Sequence, residues 1–189
     1  MKPVAALPPT LWSSLHRRRA GFTLIELLVT LGIIAALVTL AIPVTDRVVH
    51  RARAAKCMGN LRGLGSGLQL YLTEHNNVMP TLLTARAGKS ADGDVIETVL
   101  KEYVEDPECF HCPADRKKLF ETTGSSYLWN SLLNGQHLSG LSMMAVITDA
   151  TRIPVMSDKE SFHKHRDVQV NILYADGHVA KDIQFVVDE

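Results

Sequence analysis

The side chains with the most distinctive chemistry are three cysteines, Cys57, Cys109 and Cys112. Cys109-Phe-His-Cys112 has the two-residue spacing of metal ligands and of redox pairs, and His111 lies inside it. Zinc takes about four ligands, and His163, His165 and His178 are available to complete a set begun by Cys109 and Cys112. The same cysteines suit a structural disulfide, either Cys109–Cys112 or Cys57 to one of them. An oxidising compartment favours the disulfide. A thioredoxin-like activity would want a βαβ context, which the pattern lacks. Asp149, Asp158, Asp167 and Asp176 could offer oxygens to calcium, but they form no compact run of acids. Asp176 reads better as a turn residue and the others as surface charges. The polar run from His163 through Lys164, His165 and Arg166 to Asp167 reads as a solvated loop. No nucleophile elbow, phosphate loop or dinucleotide fingerprint is present. The expectation is therefore no enzyme and no required cofactor, with calcium and zinc left unassigned.

One further carboxylate stands out by its surroundings. Residues 22–44 read FTLIELLVTLGIIAALVTLAIPV, and Glu26 is the single charge among them. About 20 apolar residues at 1.5 Å rise cross a ~30 Å hydrocarbon core. The run is apolar on all faces, unlike the stripe of an ordinary surface helix. Arg17, Arg18 and Arg19 precede it and should stay cytoplasmic, which sends the C-terminal part across the membrane. A secretory signal would end its apolar region in small residues before the cut, whereas here Gly21 precedes the run. A carboxylate inside a membrane helix costs ~2.5–3.5 kcal/mol on the insertion scale, so Glu26 is a functional residue by default. The alternative is a Glu that snorkels to the interface or stays protonated.

The segment RRRAGFTLIELLVTLGIIAALVTLAIP resembles the N-terminus of type IV prepilins and type II secretion pseudopilins. That resemblance implies cleavage by a prepilin peptidase between Gly21 and Phe22 and methylation of the new N-terminus on Phe22. Glu26 then falls at the fifth mature position, where the family has its Glu, and Pro43 at the twenty-second, where many members have a Pro. The family implies that Glu26 pairs with the N-terminal amine of a neighbouring subunit and that the helix near Pro43 loosens in the filament. KCMGNLRGLGSGLQLYLTEHNNVMP and NILYADGHV are similar to a pilin-like branch with a His-x9-Asp-Gly motif, although here ten residues separate His165 from Asp176.

The elements that must position these residues follow. After Pro43, Ala54, Cys57, Leu61, Leu64, Leu68 and Leu72 recur at helical spacing, with Arg47, Arg51, Arg53, Lys56 and Arg62 on the other faces. Gly59, Gly63, Gly65 and Gly67 each cost ~1 kcal/mol relative to Ala, so this helix needs packing, and its small residues allow close approach of a sheet or a subunit. A helix is expected over residues 22–75, ended by His75-Asn76-Asn77 and Pro80. Residues 94–104 predict a short helix capped by Asp94 with Glu97 completing a capping box. Residues 168–175 and 178–187 predict two strands around a type I′ Asp176-Gly177 turn, with Val170, Ile172 and Tyr174 on one face. Residues 153–156 predict a further strand, with Pro154 at an edge or a start.

The expected fold is α+β and pilin-like: a long N-terminal helix, membrane-spanning in its first half, packed on a small antiparallel sheet. The expected organisation is a leader over 1–21, a transmembrane helix over 22–44, its amphipathic continuation over 45–75 and a periplasmic globular part over 76–189. The 20 bases and 20 acids balance, but residues 1–21 hold four bases and no acid, leaving the rest at net −4. Such a chain is not expected to bind nucleic acid through bulk charge. The expected function is a pseudopilus subunit for protein export, in the bacterial inner membrane and its filament, with prepilin peptidase and related pilin subunits as partners. The alternatives are a type IV pilus or DNA-uptake minor pilin, and, in another class, a membrane-anchored periplasmic metal-binding domain.

Overall fold

In the computed structural model, the structure describes residues 21–163 and 170–181. Residues 1–20 of the leader with its three arginines, the run 164–169 with His165 and Asp167, and the expected strand end at 182–187 lie outside the described residues. The chain divides into two compact units, Met1–Pro43 and Val44–Glu189. The arrangement is α+β, with a long N-terminal helix and one four-stranded antiparallel sheet.

Helix α1 runs from Leu24 to Glu74. In the first unit its large apolar side chains, from Leu24 through Val38, are all more than half exposed. Among the described residues no helix is long and apolar enough to cross a membrane. The apolar stretch with described side chains, 24–39, spans about 24 Å, short of a ~30 Å core. The side chains at 40, 41, 43 and 44 lie outside the description. The membrane-spanning half of the expected fold is thus not confirmed by the described helix.

In the second unit the expected stripe is the core. Ala54, Cys57, Leu61, Leu64, Leu68 and Leu72 are each at most 3% exposed, while Arg47, Arg51, Arg53, Lys56 and Arg62 face solvent. Two glycines set how closely the helix approaches its neighbours. A Cβ at Gly65 would stand 3.1 Å from Leu173 of the sheet, and one at Gly67 would stand 2.8 Å from Val104 and 3.1 Å from the Tyr103 carbonyl. The helix ends where Asn76 and Asn77 take positive φ, and the Asn77 N–H donates to the Leu72 carbonyl at 2.8 Å. Asn tolerates the left-handed region better than most residues, so it closes the helix in the way Gly often does.

The sheet order is β1 (Tyr127–Trp129), β2 (Pro154–Asp158), β3 (Ile172–Tyr174), β4 (Val179–Ala180), each antiparallel to the next. Pro154 begins β2 as expected, but β2 is an interior strand, bulged between Pro154 and Met156. β1 has no counterpart in the sequence reading: three residues are too few to show alternation. Three expectations need correction. The hairpin turn is not type I′, because only Gly177 takes positive φ (90°). Tyr174 and His178 close a three-residue loop instead, with Gly177 in the left-handed bulge position. β3 does not alternate either; Ile172, Leu173 and Tyr174 are all buried. Finally, α2 (Ile96–Val99) is capped at Val95, whose N–H donates to Thr98 Oγ1 at 2.9 Å. Glu97 does not close a box with Asp94 but pairs with Arg86, Nε to Oε1 at 2.9 Å. α2 passes directly into a 3-10 turn, Leu100–Tyr103, and α3 covers Leu119–Thr123.

Candidate functional site

Two groups of residues carry chemistry, one in each unit. In the first, residues 21–23 precede the helix and are exposed, so the Gly21–Phe22 peptide sits in non-helical, open backbone. Among the described residues nothing lies within 4 Å of where a Gly21 side chain would begin, and Phe22 is 82% exposed. Glu26 has a local partner that the sequence reading missed. Its Oε2 accepts from the Thr23 N–H at 2.9 Å and from the Thr23 hydroxyl at 2.8 Å, while Thr23 Oγ1 faces the Glu26 N–H at 3.3 Å. The Thr23 carbonyl accepts from the Leu27 N–H at 3.2 Å. This is a capping box on α1, and Thr-x-x-Glu before an apolar run was its visible signal. Pro43 lies within α1, whose assignment continues through it to Glu74.

In the second unit, Cys57 of α1 is joined to Cys112, Cα to Cα 4.9 Å. Cys109 keeps a free thiol. The Cys109–Cys112 pairing is therefore not the one formed. Cys112 points inward, fully buried against the helix, whereas Cys109 is half-buried beside Gly63. Burial pushes the Cys109 thiol up from its ordinary value, with Asp106 adding to the rise and Lys56 opposing it. Such a thiol is a poor nucleophile near neutral pH. The loop that carries both residues is held by buried Asn60, whose side-chain N–H donates to the His111 carbonyl at 2.6 Å.

His163 is not part of a solvated loop. It is 6% exposed, and its Nε2 lies 3.9 Å from Cys112 Sγ, 3.2 Å from Asp158 Oδ2 and 2.7 Å from Asn171 Nδ2. Asp158 is not a surface charge either: it is 3% exposed, and its Oδ2 accepts from the Asn171 backbone N–H at 2.7 Å and from Asn171 Nδ2 at 2.9 Å. Asp158 pairs in register with Tyr127 at the end of β2, and Asn171 just precedes β3, so the sheet fixes both. Neither residue type signals burial from sequence alone. The other acids behave as local caps: Asp149 accepts from Thr151, and Asp176 from the His178 N–H across the hairpin loop.

The family of prokaryotic N-terminal methylation motifs matches residues 16–42. The chain thus carries a prepilin-type N-terminus, consistent with a type IV prepilin- or pseudopilin-like protein. The match contains Gly21, Phe22 and Glu26 and stops short of Pro43. No curated protein and no solved structure matches the chain.

Proposed function

We propose that this chain is a pilin-like structural subunit made as a prepilin. A prepilin peptidase cuts between Gly21 and Phe22 and the new N-terminus on Phe22 is methylated. Residues 22–44 then hold the subunit in the bacterial inner membrane, with the globular part on the periplasmic side, and related subunits polymerise through this segment. The single observation that carries the reading is the methylation motif at 16–42 leading into a helix whose apolar side chains are exposed on every described face. An apolar surface of that extent needs lipid or like helices to cover it. The work is polymerisation and not catalysis. Within this class we assign the subunit to a type II secretion pseudopilus, which its short globular part favours over a type IV pilus.

The test is the intact mass and N-terminus of protein extracted from membranes of cells that contain a prepilin peptidase. Loss of residues 1–21 with a methyl group on Phe22 is the expected result, and an uncut chain overturns the reading. Gly21→Ala should sharply reduce leader removal, since the peptidase of the resembled family cuts after Gly. For the machine itself, deletion of the gene should abolish export of a secreted protein; loss of surface pili or of DNA uptake instead would move the subunit to a type IV pilus.

A further inference from the structure

The surroundings of the Cys57–Cys112 bond are not those of a cross-link alone. A disulfide is neutral and closed-shell, and it has no use for a buried imidazole or a buried carboxylate. Yet the sulfurs of Cys57 and Cys112 and a ring nitrogen of His163 all lie within 4.8 Å of one another, and all three residues are buried. Asp158 adds its Oδ2 at 3.2 Å from His163 Nε2. Its other oxygen, Oδ1, is buried with no hydrogen-bond partner among the described residues. A buried carboxylate oxygen left unpaired is costly and calls for a partner, and a cation is one that suits it.

We propose that Cys57, Cys112 and His163 form a redox-gated site for a divalent metal of the zinc class, with Asp158 moving in as the fourth ligand. Two thiolates and an imidazole are the ligands such an ion prefers, and a carboxylate oxygen completes a tetrahedral set. With metal–sulfur near 2.3 Å and metal–nitrogen or –oxygen near 2.0–2.1 Å, a tetrahedral ion puts S and N about 3.6 Å apart and N and O about 3.3 Å apart. The observed separation is 3.9 Å from Cys112 Sγ to His163 Nε2, and Asp158 would bind through Oδ1, since its Oδ2 already accepts from Asn171. To take the ion the two sulfurs must part, the Asn171 amide, 2.7 Å from His163 Nε2, must turn aside, and Asp158 must close on the three ligands already grouped within 4.8 Å. A dithiol reductant supplies two electrons and two protons and becomes a disulfide itself, while the Cys57–Cys112 bond breaks to two thiols. Metal binding then releases the two thiol protons to water. Reoxidation by a disulfide-class oxidant runs the sequence backwards and expels the ion. Cys109 stands outside the set, so the ligands differ from those its Cys-x-x-Cys spacing suggests. The inference rests on the second unit alone and does not depend on the pilin reading.

The test uses the full chain in detergent, carrying Cys109→Ser so that only the paired thiols remain. The protein is reduced without oxygen, given zinc chloride alone, freed of excess metal by gel filtration, and assayed for zinc and thiols. One zinc per reduced chain and none per oxidised chain is the expected result. His163→Ala and Asp158→Asn should each weaken zinc binding at least tenfold. Cobalt(II) on the reduced protein with wild-type ligands should give thiolate charge-transfer and tetrahedral d–d absorption, a readout that does not depend on any ligand variant folding. Failure of the reduced chain to hold zinc or to give the cobalt spectrum overturns the proposal, as does equal zinc retention by a Cys57→Ser, Cys112→Ser double variant.

Discussion

Tyr127 shows what burial does to one side chain. It is 1% exposed, and its hydroxyl donates to the Cys57 carbonyl at 3.4 Å. Burial pushes its phenol far above the ordinary value of 10.0, and the nearby Asp158 carboxylate adds to the rise. The unfolded chain therefore loses this proton from about pH 10, whereas the folded chain keeps it. Above that pH the folded state binds more protons, so stability falls as pH rises, by at most about 1.4 kcal/mol per pH unit from this group. Tyr127→Phe should flatten the alkaline limb, and denaturant unfolding of both proteins at pH 8 and pH 11 measures it; equal pH dependence would refute the assignment. At this scale the sequence was least informative. The motif that contains Gly21, Phe22 and Glu26 was legible because it is contiguous. The partnership of Cys57, Cys112, His163 and Asp158 was not, because it joins four segments that only the sheet and helix bring together.

Elements were legible where their period was long. The stripe from Ala54 to Leu72 repeats over five turns and is the core, whereas strands of two or three residues carry no period to read. The glycines of α1 separate propensity from packing. Gly59 is exposed with nothing within 4 Å of a built Cβ, so Gly59→Ala should stabilise by up to ~1 kcal/mol. Gly67→Ala has the same intrinsic gain but drives a methyl to 2.8 Å from Val104 and 3.1 Å from backbone at Tyr103. Overpacking of ~1–3 kcal/mol should win there, giving net destabilisation. Urea unfolding followed by Trp129, buried in β1 at 1% exposed, reports both signs, and a stabilising Gly67→Ala would show that the close approach is soft. The same assay tests the cross-link that ties α1 to the segment bearing Cys112. Its cysteines are separated by 55 residues, and closing such a loop restricts the unfolded chain by about 4 kcal/mol. Reduction with a chelator present, which keeps metal from compensating, should lower stability by roughly 2–4 kcal/mol.

For the whole molecule the deciding residue is Glu26, because two roles now compete for it. Its carboxylate closes the capping box with Thr23 within one chain, and the prepilin resemblance assigns it to the amine of a neighbouring subunit. Capping alone is worth about 1 kcal/mol of helix stability, and Gln serves at that position as Glu does. A charge pair in hydrocarbon differs: without the negative charge the amine is left unpaired, and an uncompensated buried charge costs several kcal/mol. Glu26→Gln therefore separates the roles where Glu26→Ala cannot. If assembly rests on the charge, both variants should insert and be cleaved normally but yield few filaments, with Gln no better than Ala. If capping is the whole role, Glu26→Gln should restore filament yield to that of the unsubstituted chain while Glu26→Ala stays impaired. Filament yield sedimented from gently lysed cells, normalised to cleaved subunit in the membrane, decides between them. The expected outcome is failure of both, because the exposed apolar helix offers like helices a surface but gives no register, and a single charge along residues 22–44 supplies it.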